Sequence, residues 1–155
     1  MAQNRSTAVM SGRIEPTDSL DHFPTPPWAT RALCRYLELN LKMDLGGQRV
    51  WEPACAEGYM ARALNESFST VYASDIHDYG IGAKVKDFTL DTFDEQPDWP
   101  GPVEWIITNP PFNLAQEFIL TALSLARVGV AVFVRTSFLE TSGRFGRSGL
   151  RRPAI

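Results

Sequence analysis

The chain has 155 residues, 44% hydrophobic and 21% charged, with a formal net charge of −3. These are the values of one globular domain with enough chain to bury a core, and they exclude a globally basic nucleic-acid binder. Cys34 and Cys55 match no metal or redox spacing, His22 and His77 lie far apart, and no apolar run or leader pattern is long enough for a membrane segment. A reduced, cytoplasmic setting with no metal site and no membrane is expected.

Residues 1–20 are polar without apolar periodicity and read as a flexible arm. In Phe23-Pro24-Thr25-Pro26-Pro27, Thr25 reads as a helix N-cap followed by prolines in the first turn. The next helix would bury Ala29, Ala32, Leu33, Tyr36 and Leu37, and Cys34 would be an ordinary buried thiol on it. Residues 49–52 form a first strand, 53–58 a turn of small residues, and a helix runs from 59 to about 67. A second strand spans 69–75, a glycine-bearing loop 77–84, and a third strand 85–88 with Asp87 at its end. Residues 91–101 are acidic, proline-broken loop. A fourth strand covers 103–108, a helix 114–128 presents Leu114, Phe118, Thr121 or Ala122, and Leu125, and a fifth, buried strand runs over 129–138. The methyl-rich strands alternate with helices, which predicts a parallel sheet covered on both faces. Right-handed crossovers then give a doubly wound α/β sheet of order 3-2-1-4-5. The domain would span 21–140, followed by a basic, irregular tail over 141–155.

That order places the turn after strand 1 opposite Asn109-Pro110-Pro111-Phe112 after strand 4, across the crevice where such sheets bind ligands. Gly58 is the position where backbone could approach a ligand closely. The glycines of a pyrophosphate-binding turn are absent, and Glu52 and Glu57 would repel phosphate and suit a cation. Asp75 ends strand 2 where an acid takes a ribose diol, and Asp87 is placed to accept from an adenine amine. S-adenosylmethionine has that combination of ribose, adenine and positive charge. The plainer alternative makes Glu57 and Asp87 solvated loop acids, Asp75 a turn former, and the tetrad a strand-stopping turn with a core phenylalanine.

The segment 52–58, Glu-Pro-Ala-Cys-Ala-Glu-Gly, with Asn109-Pro110-Pro111-Phe112 downstream, resembles the adenosylmethionine-dependent amino-methyltransferases. With Phe23-Pro24-Thr25-Pro26 upstream, the pattern is most similar to DNA adenine-N6 methyltransferases of the small phage and prophage type. The similarity covers about residues 22–140. It implies the Rossmann-like fold of the class I methyltransferase type and S-adenosylmethionine as cofactor. By the same resemblance Thr25, Glu52 and Ala54 line the cofactor's methionine end, Gly58 packs under it, Asp75 takes its ribose and Asp87 its adenine. Asn109 and the Pro110 carbonyl would accept the N–H groups of the target amine, with Asn109 also beside the cofactor. Pro111 and Phe112 would hold the base, Phe112 by stacking. The substrate would be an adenine flipped out of DNA.

Two features depart from the family pattern. Ala56 stands where most members have glycine, and residues 143–149 carry no strand pattern although the family adds two more strands. A short sheet of this kind is expected to leave strand 5 at an open edge that invites self-association. The same tetrad also serves guanine-N2 methylation of RNA and glutamine-N5 methylation of protein, and a catalytically inactive remnant is the alternative from outside enzymology.

Overall fold

A computed structural model describes residues 23–90, 98 and 100–140. The predicted N-terminal arm, most of the 91–101 loop and the basic tail, with its expected lack of further strands, lie outside the described residues. Among them, five strands are β1 (Arg49–Glu52), β2 (Thr70–Asp75), β3 (Lys84–Val85), β4 (Trp105–Thr108) and β5 (Gly129–Val132). Every pairing is parallel and the order is β3-β2-β1-β4-β5. The longer helices are α1 (Pro27–Leu39), α2 (Tyr59–Leu64) and α3 (Ala115–Leu125), with a final turn of helix α4 (Thr136–Glu140).

Alternation along the central strands divides the core into two layers. Val50 and Ile107 face one way and pack with Cys34 and Leu37 of α1 and Met60 and Leu64 of α2. Their neighbours Trp51 and Ile106 face the other way and pack with Phe88 and with Phe118 and Ala122 of α3. All four residues of β4 are buried, which is why its sequence is apolar rather than alternating. Burial of side chains such as Leu64, Ile106 and Ile107 contributes about 1.5–3 kcal/mol each.

Several elements differ from the sequence expectation. The N-cap of α1 is Pro26 with no side-chain cap, and Thr25 is buried instead. The packed stripe of α1 is Thr30, Cys34 and Leu37, so Tyr36 and Ala32 face outward. That stripe follows i, i+4, i+7 spacing, and the apolar count had favoured the neighbouring face. On α3 the buried face is Ala115, Phe118, Ile119 and Ala122, and Leu114 lies in the preceding 3-10 turn, Phe112–Leu114. β3 ends at Val85, two residues before Asp87, although Lys86 N–H still donates to Asp75 O of β2, and Phe88 beyond it is buried.

β5 is four residues long and half-buried rather than a long buried run. It stands at the sheet edge among the described residues, and the chain enters α4 at Thr136. Its first residue, Gly129, is closely packed. A Cβ on Gly129 would lie 2.5 Å from the Trp105 ring, whose Nε1–H donates to Gln48 Oε1 at 2.6 Å.

Candidate active site

Parallel strands deliver their carboxyl ends to one rim of the sheet. Here that rim carries Glu52 from β1, Asp75 from β2 and Asn109 directly after β4. Between them lies a cavity of about 410 Å³, inside the usual range for small-molecule sites. Thr25, Glu52, Ala54, Asp75, Asp87, Asn109 and Pro111 line it. Three expected site residues do not: Gly58, Pro110 and Phe112.

The turn after β1 is held open by two left-handed residues. Gly58 has φ +78°, and a Cβ there would come within 2.8 Å of Ile81 Cδ1. Glycine is therefore needed for the turn itself, and the loop side chain Ile81 packs over it. Ala56 has φ +44°, a conformation that costs an alanine about 1–2 kcal/mol. Its N–H donates to Asp75 Oδ2 at 2.9 Å, and His77 N–H donates to Asp75 Oδ1 at 3.0 Å. The Asp75 carboxylate thus ties the β1 turn to the β2 turn. The turn-forming reading of Asp75 is realised in the structure, and Asp75 also lines the cavity.

Asp87 makes a local turn as well, accepting from Thr89 N–H at 2.9 Å and Thr89 Oγ–H at 2.6 Å. Glu52 is 2% exposed, and its buried Oε2 has no hydrogen-bond partner among the described residues. Burial, and then the neighbouring Asp75 carboxylate, push the Glu52 carboxyl well above the usual carboxylate range. Burial also pushes the Cys55 thiol up to about 12, with Glu52 and Asp75 adding to it. An uncharged thiol is a poor nucleophile, so Cys55 is wall rather than reagent.

Asn109 donates from Nδ2 to the backbone carbonyl of Phe23 at 2.8 Å. A carbonyl can only accept, so Nδ2 is the donor in this contact and Oδ1 is left as the amide's acceptor. Pro110 is buried and Phe112 is half-buried in the 3-10 turn. Phe112 packs on Phe23 with ring centroids 6.0 Å apart, and the Arg135 guanidinium stands 4.0 Å from its centre. The core-phenylalanine alternative does not hold for Phe112.

The sequence reading did not pick out His77, Tyr79 or Phe88 as cavity residues, or Arg135 over the Phe112 ring. Their signal was position: His77 and Tyr79 follow the β2 acid, and Phe88 follows Asp87. Arg135 was hidden because strand 5 was drawn through it. Among the described residues no group of three His, Cys, Asp or Glu is placed to hold a metal ion. No helix there is long and apolar enough to cross a membrane.

No protein-family model matches the chain, and no curated protein matches it. Solved structures do. The chain is similar to a candidate RNA methyltransferase from Pyrococcus horikoshii, with a TM-score of 0.58 at 16% identity, over 86% of this chain and 76% of that one. It is similar to a Thermoplasma acidophilum protein with a TM-score of 0.53 at 20% identity, over 72% of this chain and 63% of that one. Magnesium protoporphyrin IX methyltransferase from Synechocystis, solved with bound S-adenosylmethionine, matches with a TM-score of 0.46 at 19% identity, over 65% and 54%. At such identities the likeness is one of fold: a Rossmann-like, doubly wound sheet of the class I methyltransferase type.

Proposed function

We propose that this chain is an S-adenosylmethionine-dependent methyltransferase that acts on the exocyclic N6 amine of adenine in DNA. The observation that carries the reading is the orientation of Asn109. Its amide is held by the Phe23 carbonyl so that Oδ1 is the acceptor, at the end of β4 and on the wall of the cavity.

The residues present fit the cofactor. The cavity wall is acidic at Glu52, Asp75 and Asp87, and apolar at Phe88 and Phe118. The buried Glu52 Oε2 that has no partner suits an ammonium donor. Glu52 and Thr25 would hold the methionine end, Asp75 the ribose and Asp87 the adenine. Bound there, S-adenosylmethionine supplies an electrophilic methyl group. Gly58 serves this site through its turn rather than by touching the ligand.

The amine of adenine is a weak nucleophile because its lone pair is delocalised into the ring. Asn109 Oδ1 and the Pro110 carbonyl would each accept one amine N–H. Those two contacts would favour a pyramidal nitrogen, which localises the lone pair for attack, and would stabilise the positive charge that grows on it. Pro110 and Pro111 keep the acceptors still, which lowers the cost of orientation. The amine nitrogen would form the new N–C bond as the sulfonium S–CH3 bond breaks and S-adenosylhomocysteine leaves, and would then give up one proton to solvent. A base inside a duplex cannot reach this pocket, so the target must leave the stack. Phe112 offers it a stacking face worth about 1–3 kcal/mol.

The test is transfer of a labelled methyl group from S-adenosylmethionine to separate pools of DNA, RNA and protein. Labelled N6-methyladenine in DNA is the expected product. Label confined to guanine N2 in RNA or to protein glutamine would replace the substrate and keep the chemistry. Cofactor binding with no transfer to any pool would mark an inactive remnant and overturn the proposal.

A further inference from the structure

The cavity wall is better at accepting hydrogen bonds than at donating them. Glu52, Glu57, Asp75 and Asp87 line it, and a carboxylate only accepts. Four residues bring hydroxyl groups to the same wall: Thr25, Tyr59, Tyr79 and Thr89. Thr89 already donates to Asp87 Oδ1 at 2.6 Å. Thr25 stands before α1, and Tyr59 opens α2 with the Arg62 guanidinium over its ring. Tyr79 stands in the loop that follows Asp75, and no hydrogen bond engages its hydroxyl among the described residues.

That loop is tied at three points. His77 N–H donates to Asp75 Oδ1 at 3.0 Å, Gly80 N–H donates to Asp78 Oδ1 at 2.8 Å, and Ile81 packs over Gly58. The Tyr79 ring meets the His77 ring edge-on, with centroids 6.5 Å apart. Tyr79 is therefore held beside the β1 turn and the end of β2. Burial, and then the charges of Asp75, Glu57 and Cys55, push its phenol above the ordinary range. A phenol kept protonated in this way is a donor among acceptors.

A ribose diol carries two O–H donors and two oxygens that accept. Asp75 satisfies donors only, and one lone pair of each of its oxygens is already spent on the Ala56 and His77 N–H groups. We propose that Tyr79 is a ribose-binding residue that works beside Asp75: the carboxylate accepts from the diol, and the Tyr79 hydroxyl donates to one of its oxygens. This rests on the cofactor half of the reading above and is independent of which substrate receives the methyl group. The pair makes the cavity selective for a sugar with both hydroxyls. Tyr79 is 37% exposed, so water replaces a missing partner and the selectivity it adds is modest, about tenfold.

The test is calorimetric titration of the full 155-residue chain, parent and Tyr79→Phe, with S-adenosylhomocysteine and with its two analogues lacking the ribose 2′- or 3′-hydroxyl. Tyr79→Phe removes the hydroxyl and keeps the ring. It should bind S-adenosylhomocysteine about tenfold more weakly than the parent, the scale of one lost hydrogen bond. For one of the two analogues, parent and variant should bind alike, because the oxygen that Tyr79 serves is already gone. Equal weakening of all three ligands would make the hydroxyl a support of the loop and overturn the assignment. So would an unchanged affinity for S-adenosylhomocysteine. A parent chain that binds none of the three would overturn the cofactor reading of the cavity, and the assignment with it.

Discussion

The side-chain amide of Asn109 donates a 2.8 Å hydrogen bond to the carbonyl of Phe23, across 86 residues of chain. The contact joins the segment before α1 to the end of β4, and because Nδ2 is the donor in it, Oδ1 is left as the acceptor end of the amide. Asn109→Ala should lower methyl transfer by about 10²–10³-fold, the scale of losing one oriented electrostatic contact, with cofactor affinity nearly unchanged. Asn109→Asp should be more active than alanine but below the parent, because a carboxylate cannot donate to the Phe23 carbonyl. Single-turnover rates with a separate binding titration distinguish these outcomes. A parental rate in the alanine variant would reduce the tetrad to a turn.

Asp75 has a double role, as loop tie and as expected ribose acceptor. Asp75→Ala should weaken S-adenosylmethionine binding by more than tenfold. It should also destabilise the fold by about 1.5–3 kcal/mol, since two backbone N–H groups lose a charged acceptor. Ala56→Gly should move stability the other way by about 0–1 kcal/mol, relieving the left-handed strain at the cost of a looser unfolded chain. Denaturant unfolding of both variants reads these effects, and unchanged cofactor affinity in Asp75→Ala would remove Asp75 from the binding site.

Glu52 gives a pH dependence with a definite sign. Its carboxyl is raised in the fold from the ordinary 4.5, so the folded chain holds a proton that the unfolded chain has released. Its contribution to stability is fully present below the unfolded value and is lost as pH rises through the folded one. Glu52→Gln should flatten that part of the melting profile. An ammonium group in the cavity favours the ionised carboxylate, so S-adenosylmethionine affinity should rise with pH over the same window in the parent and stay flat in the glutamine variant. Calorimetric titration at several pH values measures both, and parallel profiles would separate Glu52 from the cationic end of the ligand.

Phe112 is half-buried and belongs to none of the core clusters, so Phe112→Ala should cost the fold less than about 1 kcal/mol. The same change should weaken oligonucleotide binding by about tenfold, while Phe112→Trp preserves it. A collapse in melting temperature with normal turnover of the remaining folded protein would return Phe112 to a packing role.

At Gly129 the expectation is purely structural. A methyl group there meets the Trp105 ring, which Gln48 holds in place. Gly129→Ala should destabilise by about 1–3 kcal/mol, as overpacking of a close contact does, and thermal melting checks it. An unshifted melting curve would mean that Trp105 can move aside.

The doubly wound order was legible in the sequence because it depends on local pattern. Apolar strands alternating with amphipathic helices admit few topologies, and the right-handed crossover removes most of those. For the same reason the facing positions of Glu52 and Asn109 could be read before any coordinates, and they are two of the seven expected site residues, out of ten, that line the cavity. Element ends were less legible. β3 and β5 stop earlier than expected, at Val85 and Val132, and where a strand ends leaves no mark in hydrophobic periodicity.

What only the tertiary structure decided are the contacts between distant segments. Asp75 holds a left-handed alanine 19 residues away, Phe23 orients Asn109, and Arg135 covers Phe112. Each is a polar or aromatic side chain whose partner is chosen by where the folded chain brings it. Composition and spacing name the groups that can interact. The distance and direction that make them do so arise only when the sheet gathers the carboxyl ends of its strands on one rim.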